Sequence, residues 1–117
     1  EQAAAQGNAP SMTRIGLLYH NALGVERDAK AAASWWQKSA ALGDADGQAM
    51  LGAAHHLGAG VPRDLVRALA WLTLARAARS KFADRYYNAV RAECTPEQRR
   101  AAEQLTFLPP EQWEAAP

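Results

Sequence analysis

Cysteine is almost absent from this sequence. Its 117 residues include one, Cys94, which excludes a disulfide within the chain. An excess of charge of one sign is also lacking, because 13 Lys and Arg residues stand against 12 Asp and Glu residues. The sequence therefore has neither a basic stripe for nucleic acid nor an acidic tail. No apolar run is long enough to span a membrane, so we expect one compact domain without membrane insertion.

An internal repeat is the most informative feature that the sequence does have. Apolar residues make up 49% of the chain, and alanine supplies much of that fraction, which suits closely packed helices. Residues 10–43 align with residues 46–79 at an offset of 36, and such a period is typical of a stacked array. The matched pairs are Gly16/Gly52, His20/His56, Gly24/Gly60, Val25/Val61, Arg27/Arg63, Asp28/Asp64, Ala32/Ala68, Trp35/Trp71 and Ala41/Ala77.

The apolar spacing within each repeat predicts two helices joined by a short loop. We place the helices at about residues 10–21, 29–42, 46–57, 65–79, 81–93 and 95–105. The chain then divides into the end of a preceding repeat (1–7), two repeats (10–43 and 46–79), a degenerate unit with a capping helix (81–106) and a tail (107–117).

Several residues indicate how these helices begin, end and pack. Gly16 and Gly52 each cost about 1 kcal/mol inside a helix, so their recurrence predicts that another backbone passes close to them. In the third unit, Asn88 takes the glycine position. The predicted boundary residues are Gly24 and Gly60 with positive φ, Asp28 and Asp64 as N-caps, and a Thr95–Gln98 capping box with Pro96.

These residues resemble the Sel-one-like repeat family, a relative of the tetratricopeptide repeats. The resemblance implies an all-α, right-handed α-solenoid of antiparallel helix pairs with a concave groove. It implies an adaptor that binds other proteins, without a catalytic residue or a cofactor, and favours a bacterial periplasmic or secreted protein over a cytoplasmic one. The motif occurs twice. The first copy is Ile15-Gly16-x-x-Tyr19, Gly24-Val25-x-x-Asp28-x-Lys30-Ala31-Ala32 and Trp35-Trp36-x-Lys38-Ser39-Ala40. The second copy is Leu51-Gly52-x-x-His55, Gly60-Val61-x-x-Asp64 and Trp71-Leu72.

The resemblance also implies where a partner binds, because related repeats use the inner face of the first helix of each pair. The functional interpretation is a groove of mixed polar and apolar character for a protein or peptide. The alternatives are a groove that is only solvated or one that is covered by a second copy of the chain. The predicted groove residues are Thr13, Leu17, His20, Asn21, Ala49, Ala53, His56 and Leu57.

Three histidines and the cysteine raise the question of a metal or catalytic site. His55 and His56 diverge by about 100° on a helix, and no HExxH or CxxC spacing is present. We therefore interpret His55 as a core residue and His20 and His56 as groove residues. Cys94 precedes a helix N-terminus, where a thiolate is stabilised, but a buried thiol without a nearby base is the favoured interpretation.

Tryptophan has two predicted roles. Trp35, Trp36 and Trp71 recur at helical spacing and are predicted to lie in the core, whereas Trp113 has no repeat equivalent. Trp113 either docks on the last helix or anchors a contact with another molecule, and residues 107–110 are predicted to pack across the end of the stack. The second functional hypothesis is a spacer or self-assembly unit that stacks through residues 1–6.

Overall fold

The computed structural model describes residues 9–21 and 29–115. All regular structure in these ranges is helical, as the sequence predicts. The α-helices are α1 (Ala9–Asn21), α2 (Ala29–Ala41), α3 (Ala45–Leu57), α4 (Leu65–Ala77), α5 (Ala83–Glu93) and α6 (Pro96–Thr106), followed by a 3₁₀ helix (Pro110–Ala115).

The helices begin and end where local backbone chemistry places them. The Asp64 carboxylate accepts from Arg67 N at 3.0 Å, and Thr95 forms the predicted capping box with Gln98. Gly60 has a φ of 80°, which confirms the predicted left-handed conformation, whereas Gly24 and Asp28 lie outside the described residues. Asp44, which was not among the predicted N-caps, is also an N-cap and accepts from Gly47 N at 2.8 Å.

The helices stack as an all-α solenoid of helix pairs. Helix α1 packs on α2 and α3 packs on α4, and these pairs are joined through contacts of α2 with α3 and of α4 with α5. Helices α1, α3 and α5 form one layer, in which α3 contacts both of its neighbours. Helices α2, α4 and α6 lie on the other side, and this division leaves one face of the first layer uncovered by the second.

Glycine allows the two helices of a pair to cross closely. A Cβ on Gly52 would lie 2.8 Å from Leu72 Cγ and 3.1 Å from the Ala68 carbonyl oxygen. A Cβ on Gly16 would collide with the indole of Trp36, whose Nε1 donates to the Thr13 carbonyl oxygen at 3.2 Å. The predicted close approach of a backbone is confirmed at Gly52, whereas the close neighbour of Gly16 is a side chain.

The third unit departs from this geometry because α6 packs on α4 and not along α5. Two residues, Cys94 and Thr95, separate α5 from α6, whereas residues 58–64 separate α3 from α4. Asn88, at the register position of the glycines, is accordingly exposed. The loss of glycine there follows from the loss of a crossing helix.

The burial of the tryptophans differs in part from the prediction. Trp36 and Trp71 are buried as predicted, but Trp35 is only half-buried, with the Lys38 ammonium 4.8 Å from its ring centroid. Trp113 is 1% exposed and donates from Nε1 to the Leu105 carbonyl oxygen at 2.7 Å, which confirms docking on the last helix. The prediction that Phe107 packs across the end of the stack is wrong, because its side chain is 79% exposed.

Candidate interaction surface

One narrow stripe of α3 is left open by the packing of the solenoid. Because α3 contacts α1, α2, α4 and α5, most of its side chains are buried. The remaining stripe consists of Asp46, Ala53 and Leu57, and Met50, which lies on the same face between Asp46 and Ala53, is buried. We call the surface formed by this stripe and its equivalents on α1 and α5 the inner face.

The neighbouring helices extend the inner face on both sides. On α1 the register gives Pro10 and Arg14, which are both exposed, and then Leu17 and Asn21, whose side chains lie outside the described residues. On the α5 side, Phe82 and Tyr86 are half-buried, while Ala89 and Glu93 are exposed. The described part of the inner face therefore combines small or aromatic side chains with charged ones.

The end of the inner face that is formed by the helix N-termini contains a charged depression of about 180 Å³. Arg14 and Lys81 supply positive charge there, and Asp44 and Asp46 supply negative charge. Asp46 accepts from the Ser80 hydroxyl at 2.7 Å, and this hydrogen bond connects α3 to the segment before α5. Both signs of charge are thus available to a bound polar group.

The opposite end of the inner face combines an apolar side chain with an ion-pair network. Leu57 is 66% exposed. Beside it, His56 donates from Nε2 to Glu93 Oε2 at 2.9 Å, and Arg63 donates to Glu93 Oε1 at 3.1 Å. The hydrogen bond from His56, with the charges of His56 and Arg63, lowers the pKa of Glu93. The network joins the C-terminal ends of α3 and α5, and exposed Leu57 lies next to it.

The predicted groove residues fall into three groups. Ala53 and Leu57 lie on the inner face, and half-buried His56 lies at its edge against Glu93. The prediction that Ala49 points into the groove is wrong, because it is 0% exposed, whereas Thr13 lines the charged depression but is only 5% exposed. Neighbouring helices cover a wider sector of α1 and of α3 than the apolar spacing in the sequence predicts. The side chains of the remaining predicted residues, Leu17, His20 and Asn21, lie outside the described residues.

Thr13 instead belongs to a buried polar network that the sequence analysis missed. Its hydroxyl donates to Asp44 Oδ2 at 2.6 Å and lies 2.9 Å from Ser39 Oγ. One repeat later, Ala49 and Ala75 replace Thr13 and Ser39, and both are fully buried. Both positions carry a hydroxyl in the first repeat and a methyl group in the second, and this joint change was the signal in the sequence that they face each other.

The remaining titratable candidates are buried in the solenoid. His55 is buried as predicted, with Nδ1 3.3 Å from the Pro62 carbonyl oxygen. Cys94 is 5% exposed, as the favoured interpretation predicts, and burial raises the pKa of its thiol. Within residues 9–21 and 29–115, no three His, Cys, Asp or Glu side chains are grouped so that they could hold a metal ion.

A membrane-spanning segment is also missing from the part of the chain that the structure describes. Its α-helices have 11 or 13 residues, and none combines the length and the apolar character needed to cross a bilayer.

Comparison with known proteins places these observations in a family. The family model described as Sel1 repeat matches residues 9–44 and again residues 45–79. A solved protective antigen present in uropathogenic Escherichia coli strains, which displays an SLR fold, is 31% identical with a TM-score of 0.80 and covers 97% of this chain. A Sel1 repeat protein from Oxalobacter formigenes is 33% identical with a TM-score of 0.66 and covers 70% of this chain. This chain spans only 26% and 24% of those two proteins, and comparison with curated sequences gave no match.

Proposed function

The chain belongs to the Sel1 repeat family, whose members are generally protein-interaction scaffolds and typically not enzymes, and we propose that it binds a segment of a partner protein across the inner face. The observation that supports this most directly is Leu57, a large apolar side chain that is 66% exposed on an otherwise well-packed helix. Leaving such a side chain in water forgoes about 1.5–3 kcal/mol of burial free energy, which a partner can recover.

The chemistry of the inner face limits what the partner segment contains. Ala53 and Ala89 are small, so a partner side chain can approach the helix backbones between α3 and α5. Leu57 and half-buried Tyr86 offer apolar contact, whereas Arg14 and Asp46 offer charges of both signs at the other end. We infer a segment with an apolar anchor for Leu57 and polar residues that extend toward the N-terminal ends of the helices. Buried anchors of this kind carry most of the binding energy in protein interfaces.

A pair of matched variants tests this proposal. The chain is immobilised, incubated with an extract of its source cells, and the retained proteins are identified by mass spectrometry. We expect Leu57→Glu to lose a protein that the unmodified chain retains, because a charge replaces the apolar anchor. Phe107→Glu is the control, since Phe107 is 79% exposed but lies after α6, away from the inner face. Both substitutions put a carboxylate in place of an exposed apolar side chain.

The outcome separates binding through the inner face from other binding. Retention by Phe107→Glu together with loss in Leu57→Glu supports the proposal. Equal retention by both variants would overturn it, and so would equal loss. Circular dichroism of each variant confirms that a loss of retention does not come from unfolding.

We also propose that the protein acts in the periplasm or as a secreted protein. The E. coli relative is a protective antigen, which supports a location that antibodies can reach. The single cysteine is neutral in this respect, because a buried reduced thiol is compatible with either side of the inner membrane.

A further inference from the structure

Two clefts away from the inner face are related by the internal repeat. The first, cleft I, is bounded by α2, α3, α4 and the tail, and the second, cleft II, by α4, α5 and α6. Each has a volume of about 260 Å³. Four lining positions correspond at the 36-residue offset, namely Gln37/Thr73, Leu51/Tyr87, His55/Arg91 and Arg67/Glu103.

The chain itself supplies one wall of cleft I. The 3₁₀ helix of the tail places Pro110, Glu111 and Trp113 along it. Arg67 donates to the Trp113 carbonyl oxygen at 3.1 Å, and the rings of Trp113 and Trp71 lie 4.7 Å apart between centroids. The tail is therefore part of the lining of cleft I, and the volume of the cleft stays open beside it.

Cleft II has no such segment among the described residues and carries more positive charge. Arg91 and Arg99 both line it, with Glu103 as the single acidic side chain. Arg99 donates from Nε and one terminal nitrogen to the Arg91 carbonyl oxygen at 3.2 and 3.0 Å, which holds its guanidinium at the cleft. Tyr87, half-buried, replaces Leu51 of cleft I and adds an aromatic surface.

We propose that cleft II is a second docking site, which binds a short segment of a partner protein containing an aromatic residue flanked by acidic residues. Arg91 and Arg99 favour a negatively charged segment, and the half-buried ring of Tyr87 offers a surface for its aromatic side chain. The volume is below the roughly 300–1,000 Å³ of typical small-molecule pockets, which fits one or two side chains better than a whole ligand. The site uses Tyr87 and Arg91 of α5, whereas the inner face uses Tyr86 and Glu93, so the two proposals are independent.

The test uses a synthetic peptide of residues 107–117 as the probe, titrated into the intact chain by isothermal calorimetry. We expect one binding site, loss of binding when the peptide carries alanine in place of Trp113, and about tenfold weaker binding by Arg91→Glu, since like charges repel across an interface. Arg85→Glu is the matched control on the same helix, because Arg85 is exposed and does not line the cleft. It should bind as the unmodified chain does, and circular dichroism verifies the fold of both variants.

Three results would overturn the proposal. The first is no heat of binding at millimolar peptide, and the second is equal affinity of the Arg91→Glu and Arg85→Glu chains. The third is binding that is weakened by Gln37→Glu in cleft I but not by Arg91→Glu, which would show that the peptide exchanges with the chain's own tail. If the full chain instead associates with itself and Arg91→Glu abolishes the association, the occupant is the tail of a second copy and not a partner.

Discussion

Single residues show why the same helix position holds glycine twice and asparagine once. Gly16 and Gly52 lie where α2 and α4 cross their paired helices, and a Cβ at either site would collide with a buried side chain. Asn88 occupies the same register on α5, but α6 does not cross there and the side chain is exposed. Glycine is therefore required by the crossing and not by the helix itself.

Gly52→Ala should lower the free energy of unfolding by about 1 kcal/mol. Overpacking against Leu72 and the Ala68 carbonyl costs about 1–3 kcal/mol, and the better helix propensity of alanine offsets roughly 1 kcal/mol of it. Asn88→Ala is the control at the equivalent position and should be neutral or stabilising by about 0.5 kcal/mol, because alanine has the higher helix propensity. Urea denaturation measures both, and a Gly52→Ala chain as stable as the unmodified one would contradict the close approach.

The tail, residues 107–117, is the element whose role could not be predicted from the helical spacing of apolar residues. The 3₁₀ helix Pro110–Ala115 returns from the end of α6 to α4, where Trp113 is buried. The indole nitrogen donates to carbonyl oxygens of Leu105 and Leu108 at 2.7 and 3.0 Å. These bonds satisfy backbone acceptors at the C-terminal end of α6, so the tail both ends that helix and covers Trp71.

Replacing Trp113 should therefore destabilise the whole array. We expect Trp113→Ala to cost about 3–5 kcal/mol, the usual range for truncating a buried tryptophan. Phe107→Ala, on the same segment but exposed, should change stability by less than about 0.5 kcal/mol. Thermal unfolding followed by circular dichroism distinguishes the two, and similar melting temperatures for both variants would show that the tail is dispensable.

On the scale of the whole molecule, the solenoid organises its surface by layer. The layer of α1, α3 and α5 presents the inner face, whereas the clefts open where α2, α4 and α6 meet the first layer. The large apolar side chains that are exposed in the described residues are Leu57, Phe107 and Leu108. Leu57 lies on the inner face and the other two follow α6, so they do not form one continuous patch.

This distribution leads us to expect a monomer in solution. A stable interface between copies buries about 1,200–2,000 Å² and has an apolar centre, which Leu57 and the distant pair of Phe107 and Leu108 do not supply. Light scattering over a hundredfold range of protein concentration should give the mass of one chain throughout. A mass that rises with concentration would instead favour the predicted self-assembly through the N-terminal end.

Local features of the fold were predictable from the sequence because they depend on neighbouring residues. The helix positions, the Asp64 cap and the Thr95–Gln98 capping box follow from side chains within about one turn of the backbone they affect, and the 36-residue repeat is visible in the alignment of the chain with itself. Part of the inner face was predictable for the same reason, since Ala53 and Leu57 follow from helical register. The Asp44 cap was not predicted, because the pair Gly43-Asp44 is also typical of a simple turn.

The sequence by itself therefore determined the class of fold, the period of the array and the close helix crossings at Gly16 and Gly52. Only the tertiary structure decided which side chains remain accessible. Thr13 and Ala49 are buried, and His56 is paired with Glu93 from 37 residues away. The docking of Trp113 beside Trp71 is likewise long-range. Such contacts depend on where distant helices meet in space, and so does the packing of α6 on α4 instead of α5.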